Sequence, residues 1–245
     1  MSHVEQRRFF ELVSKANTEV IQGGRILEIG SYDVNGDVRA LFDGCAEYYG
    51  VDLSRGPGVD IVGYGHKLNH PDGSFDATLC GECFEHDPYW ELTFKNMVRM
   101  TRPGGLVVFT CASKGRPEHG TRRTTPLNSP GTQSLNIDYY RNLNESDFDH
   151  LPMEQIFSSF RFWYNPTHFD LYFVGIRSGG EGGALPSASA VSELAGLMPL
   201  TQRVARLPLR IASHFLTEPR YQTVIRPYWS GLRRMATMRP SDGAP

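Results

Sequence analysis

Nowhere in the chain do about 18 apolar residues run together, which excludes a membrane-spanning helix. The opening stretch, Met1 to Arg7, lacks the apolar core of a secretion signal. Cysteine is scarce: Cys45, Cys80, Cys83 and Cys111 are four thiols among 245 residues. That is too few for a disulfide scaffold, and the single CxxC of Cys80 and Cys83 has no second pair to complete a zinc site. Structural thiols in a cytoplasmic protein are the expectation. An excess of one charge is lacking too, since a net charge of −2 gives no global attraction to nucleic acid and DNA is not an expected partner. Also absent are internal repeats, a GxGxxG loop and a Tyr-x-x-x-Lys pair.

What remains is an ordinary globular composition, 40% hydrophobic and 21% charged, in a chain long enough for one α/β domain with an appendage. Helical spacing of apolar residues predicts a helix over 4–19. Arg25 to Gly30 is a short apolar run ending in glycine, as in a buried parallel strand. A helix near 37–43, a strand over 47–52, a brief strand at 59–62 and a strand over 75–80 follow. Pro88 opens a helix over 88–101, Arg102–Gly105 is a turn, and 106–111 is the most apolar strand. Residues 113–150 form a long polar loop region, a length that is usually functional or partly helical. Strands at about 155–164 and 169–176 are too close for a crossover, so they pair as a hairpin. The expected fold is α/β, a doubly wound sheet with one reversed strand.

By composition, residues 178–190 are a flexible Gly/Ser linker that closes a domain at residue 178. The tail beyond it holds eight arginines, no lysine and three acids, and is broken by Pro208, Pro219 and Pro227. It is expected to form a helical extension packed on the domain or on a second copy, as in a homodimer. Its apolar residues interleaved with arginine also suit a peripheral membrane surface or an acidic protein partner.

Ligands of open α/β sheets bind beyond the C-terminal ends of the strands. There the first strand gives Glu28-Ile29-Gly30-Ser31-Tyr32-Asp33-Val34-Asn35-Gly36, where Gly30 and Gly36 let the backbone turn beside a ligand. The second strand ends at Asp52, whose carboxylate is placed to accept both hydroxyls of a ribose.

Together these motifs resemble class I S-adenosylmethionine (SAM)-dependent methyltransferases over residues 20–178. Leu27-Glu28-Ile29-Gly30 with Gly36 is similar to that family's glycine-rich first motif, and Val51-Asp52 to its acidic second. Phe75-Asp76…Glu82…Glu85-His86 is similar to its fourth-strand motif, and Arg102-Pro103-Gly104-Gly105-Leu106 to the turn and strand after it. The resemblance implies a Rossmann-like seven-stranded sheet with the last strand antiparallel and SAM as cofactor. It implies that Glu28, Gly30, Ser31, Asn35, Gly36 and Gly81 cradle the amino-acid part of SAM. Asp52 would hold the ribose, with Leu53 beside the adenine and Glu82 along the same cleft. No acid follows the third strand, where the family often has one against the adenine edge; His66 or a backbone amide is the substitute.

Some small-molecule and RNA-terminus methyltransferases use an ExxEH with a distant histidine to bind a metal that holds the substrate hydroxyl. Glu82, Glu85, His86 and His119 would be such a set, for Mg2+, and without metal His86 or His119 would serve as the catalytic base. Arg116, His119, Arg122, Arg123, Tyr139, Tyr140, Arg141 and Asn142 form a polar, aromatic set suited to a hydroxylated or anionic acceptor, such as a sugar or glycoconjugate. The expected activity is methyl transfer to a hydroxyl of a small-molecule or carbohydrate acceptor. The alternatives are methylation of nitrogen or RNA, a non-catalytic SAM- or nucleotide-binding protein, and an NAD or nucleotide-sugar oxidoreductase. The missing GxGxxG argues against the last, and the acidic balance of the first domain argues against RNA.

Overall fold

The chain opens on α1 (Val4–Ala16), which buries Phe9, Phe10 and Val13 while Glu11 pairs with Arg8 and Lys15 on the wet side. The single helix expected over 4–19 is divided. Asn17 turns its side-chain amide onto the Val13 and Ala184 carbonyls, and α2 (Thr18–Ile21) adds one further turn. These elements come from a computed structural model that describes residues 3–237; the end of the C-terminal extension, 238–245, lies outside the described residues.

Seven strands follow: β1 (Arg25–Ile29), β2 (Glu47–Asp52), β3 (Ile61–Val62), β4 (Phe75–Gly81), β5 (Thr101–Ala112), β6 (Phe157–Asn165) and β7 (Asp170–Arg177). They form one sheet in the order β3-β2-β1-β4-β5-β7-β6. β1 to β5 run parallel, and β7 is antiparallel to both of its neighbours. This is the Rossmann-like arrangement with a reversed last strand. Alternation along β5 and β7 shows why the sheet is buried on both faces. Val107, Phe109, Leu171 and Phe173 join one core with α3 (Trp90–Met100), while Leu106, Val108, Tyr172 and Val174 join a second with α1.

Several local expectations are revised. The helix near 37–43 is a single 3₁₀ turn, Arg39–Phe42. The turn at 102–105 is a bulge inside β5, because the pairing with β4 steps from Phe75–Thr101 to Ala77–Leu106. The polar loop region carries α4 (Pro130–Ser134), and α5 (Met153–Ile156) precedes β6. The segment read as a flexible linker is pinned. Gly183 N–H donates to Gly104 O at 2.9 Å, and Ala184 N–H donates to Asn17 Oδ1 at 2.7 Å.

After α6 (Ala188–Glu193), the tail folds as α7 (Leu200–Phe215) and α8 (Glu218–Thr237). Pro208 and Pro227 lie inside these helices instead of breaking them. Both prolines are exposed, as are Val204 and Thr223 four residues before them, so water can satisfy the carbonyls that lose their amide donors. Leu209, Tyr221 and Ile225 close a small third core around Phe169. That docking sets α8 against the C-terminal end of β5 and the N-terminal start of β7.

Candidate active site

The C-terminal ends of β1, β2, β3 and β4 open into a cleft of about 780 Å³. Gly30, Asp52, Leu53, Gly81, Glu82 and His86 line it. Gly30 has φ 81, and a Cβ there would stand 2.6 Å from the Cβ of Cys83, so the first turn requires glycine on both counts. The Asp52 carboxylate accepts from the amides of Tyr32 at 3.2 Å and Leu53 at 2.7 Å, which aims it at the mouth of the first loop. Glu28, Ser31, Asn35 and Gly36 line an adjoining cavity of about 360 Å³ that shares Gly30 and Gly81 with the cleft. The two cavities therefore divide the expected cofactor residues into an adenosine side and an amino-acid side.

His66 is not among the residues lining the cleft. Its ring packs on Tyr64 and Tyr89, and Gly63, Tyr64, Gly65 and Tyr89 form the wall there. Asp87, which sequence reasoning did not single out, also lines the cleft and accepts from the Thr93 hydroxyl and the Tyr89 amide at the start of α3. The roof was missed as well. α4 and the residues before it cover the adenosine side, and Gly131 comes so close to Asp52 that a Cβ would lie 2.2 Å from its Oδ1. The adjacent Pro130-Gly131 is a turn signal in the sequence, but nothing in it says which acid the turn covers.

Glu28 is buried, and this pushes its carboxyl up to about 7, while the Tyr48 hydroxyl donating at 2.8 Å pulls the other way. A carboxyl raised in the folded state stabilises fully below its unfolded value, and the contribution is lost as pH rises through about 7. Glu28→Gln is therefore expected to be hardly different from the parent in Tm at pH 5. At pH 8 it should gain, by up to about 3 kcal/mol. A difference that does not change with pH would show that Glu28 does not titrate in this window. An ammonium group bound at Glu28 would remove the parent's loss.

Beside the cleft stands a second constellation. The ligand atoms of Glu85, His86 and His119 all lie within 4.8 Å of one another. Both oxygens of Glu85, Nδ1 of His86 and Nε2 of His119 are buried without a hydrogen-bond partner among the described residues. His119 Nδ1–H donates to Pro117 O at 3.2 Å, which fixes the tautomer and leaves the Nε2 lone pair 3.7 Å from Glu85 Oε1. The two rings stand perpendicular, 5.0 Å apart, with Tyr140 packed on both. Burial holds His86 down to about 3 and His119 well below its ordinary value, so both are neutral. Burial and the nearby Glu82 raise Glu85 well above the carboxylate range.

Glu82 belongs to a different group. It occupies the left-handed region at φ 50, uncommon for a residue with a side chain. Its carboxylate lies 3.6 Å from the Arg116 guanidinium, in a set with His3 and Asp170. Arg116 also holds Asp170 at 3.0 Å, and His3 Nε2 reaches Asp170 at 2.7 Å. The structure thus joins three of the four expected metal ligands and gives the fourth to an arginine.

The expected acceptor set divides likewise. His119, Tyr140 and the buried Asn142 and Arg116 face this region, whereas Arg122, Arg123 and Arg141 are exposed and pair with Asn136, the buried Glu118 and Asp147. α8 completes the loop from outside. Gln222 accepts from Glu118 N–H and donates to Arg116 O, both at 2.8 Å, a contact no sequence signal indicated.

Residues 27–109, from β1 to the middle of β5, match the family model of a methyltransferase domain. Over that segment the chain is similar to methyltransferase domains. The fold is similar to that of 1,6-didemethyltoxoflavin-N1-methyltransferase from Burkholderia thailandensis, solved with bound 1,6-didemethyltoxoflavin and S-adenosylhomocysteine. The TM-score is 0.50 at 16% identity, over 72% of this chain and 79% of that one. YcgJ of Bacillus subtilis gives 0.50 at 14% identity over 73% and 100%. The [4+2]-cyclase SpnF gives 0.50 at 14% over 71% and 81%. No curated protein matches the sequence. A fold that hosts both an N-methyltransferase and a cyclase does not name the acceptor.

Proposed function

We propose that the protein transfers the methyl group of SAM to a hydroxyl oxygen of a small polar acceptor, a sugar or glycoconjugate being the class that suits it. In this reading Glu85, His86 and His119 hold a divalent cation; two imidazoles beside one carboxylate suit a first-row metal such as Mn2+ better than Mg2+. The observation that carries it is the approach of one ligand atom from each of Glu85, His86 and His119 to within 4.8 Å of the others, in side chains that bury four polar atoms without a hydrogen-bond partner among the described residues. Such atoms are costly to bury without a ligand. Nitrogen and oxygen donors with one carboxylate suit a divalent cation.

Asp52 would bind the ribose hydroxyls and Glu28 the ammonium of SAM, and the sulfonium supplies the activation of the methyl group. The protein then has to place the acceptor oxygen at roughly 3 Å from the methyl carbon and in line with the departing sulfur. When bound, the cation would lower the pKa of the acceptor hydroxyl and fix its direction. Pro117 orients His119 through its carbonyl, Tyr140 packs on both imidazoles, and Arg116 neutralises Glu82 and Asp170 so that the acidic wall stays intact beside the acceptor.

The test is a calorimetric titration with SAM and S-adenosylhomocysteine, with and without Mg2+ or Mn2+, followed by turnover of hydroxylated acceptors in chelator. Cation binding in the micromolar to millimolar range with activity lost in chelator is expected. Full activity in chelator would remove the cation and leave His119 Nε2 as the base.

A further inference from the structure

The side of α7 turned away from the protein is apolar. Leu200, Val204, Leu207, Ile211 and Phe215 recur at intervals of three and four residues and are between 49% and 83% exposed. The opposite side holds Leu209 and Ser213, which are buried. An amphipathic helix docked on a domain normally shows the reverse, its apolar stripe inward and its polar face in water. Five large apolar side chains in one exposed row form a surface built to meet something.

Charge says what. Arg203 and Arg210 are exposed and, with His214, flank one edge of the stripe at i, i+7 and i+11. No acid occurs between Glu193 and Glu218. A second copy of the chain meeting stripe to stripe would bring arginine rows together with no carboxylate of this helix to pair them. An apolar row bordered by arginine is complementary to acyl chains below a layer of anionic headgroups.

We propose that α7 seats the enzyme on an anionic lipid surface, with Leu200, Val204, Leu207, Ile211 and Phe215 entering the interface and Arg203 and Arg210 meeting the headgroups. The partner is peripheral: no helix of the described residues is long and apolar enough to cross a membrane. α8 carries the contact inward, since Tyr228 donates to Ala205 O on α7 at 2.7 Å while Gln222 holds the loop of Arg116 and His119. The proposal stands apart from the identity of the acceptor.

Sedimentation of the full chain with vesicles of phosphatidylcholine alone, and of phosphatidylcholine with one third phosphatidylglycerol, tests it. At least tenfold stronger partition onto the anionic vesicles is expected, weakened in high salt. Ile211→Glu with Phe215→Glu should abolish partition, and Arg203→Glu with Arg210→Glu should remove the preference for anionic lipid. All four positions are exposed, and unchanged S-adenosylhomocysteine binding by each variant shows that it is folded. Equal or absent partition onto both vesicle types would overturn the proposal. So would a stable dimer in solution that Phe215→Glu dissociates, since the stripe would then belong to a second copy.

Discussion

His119→Ala is expected to lower kcat by roughly a hundredfold or more while affinity for S-adenosylhomocysteine changes by less than about threefold. The reason is local. His119 presents one buried lone pair toward Glu85, and its other nitrogen is committed to Pro117 O, so no neighbouring group can take its place. Glu85→Gln should give the same loss. It keeps the shape of the side chain and removes only its capacity to ionise and ligate a cation, and unchanged S-adenosylhomocysteine affinity would show that the variant is folded. Both variants should also lose the heat of Mg2+ or Mn2+ titration. Unimpaired turnover by His119→Ala would overturn the assignment of this cluster to catalysis. A normal titration heat with no turnover would keep the cation and move the fault to acceptor positioning.

Asp52→Ala should weaken SAM binding by ten- to a hundredfold, leaving turnover at saturating SAM within a few-fold of the parent. A carboxylate that accepts two hydroxyl hydrogen bonds contributes more than a neutral group would, and tenfold corresponds to about 1.4 kcal/mol. Asp52 also receives the amides of Tyr32 and Leu53, so alanine loosens the loop as well as removing the acceptor. Asp52→Asn separates the two effects, because an amide oxygen can keep the loop amides while the second ribose contact is lost. Calorimetry with S-adenosylhomocysteine reads both variants. Unchanged affinity in Asp52→Ala would place the ribose elsewhere in the cleft, with Asp87 the next carboxylate to replace.

The sheet was legible because its signals are local. Short apolar runs that end in Gly30, Asp52 and Gly81 mark buried parallel strands, and a gap too short for a crossover between 164 and 169 demands a hairpin. The glycine turn and Asp52 were legible for the same reason, being fixed by position at strand ends. The misreadings came from contacts distant in sequence. Composition alone makes 178–190 a linker, and only Asn17 and Gly104 pin it. Proline spacing alone breaks the tail, and only the exposure of the carbonyls before Pro208 and Pro227 lets the helices continue. Glu82 reads as a ligand by spacing, but a left-handed backbone and Arg116, over thirty residues later, turn it to another use. Roles for His3, Asp170 and Gln222 required the tertiary structure.

The tie between Gln222 and the loop at Arg116 spans 106 residues, and that between His3 and Asp170 spans 167. The matched methyltransferase segment ends at residue 109, before either tie closes. During synthesis, at roughly 5–20 residues per second, the parallel part of the sheet can begin to assemble well before α8 emerges. The loop bearing His119 acquires its outer hydrogen bonds only afterwards. On the proposed reading of the site, the cleft and the loop that would bring the acceptor to it are thus completed at different times within one nascent chain.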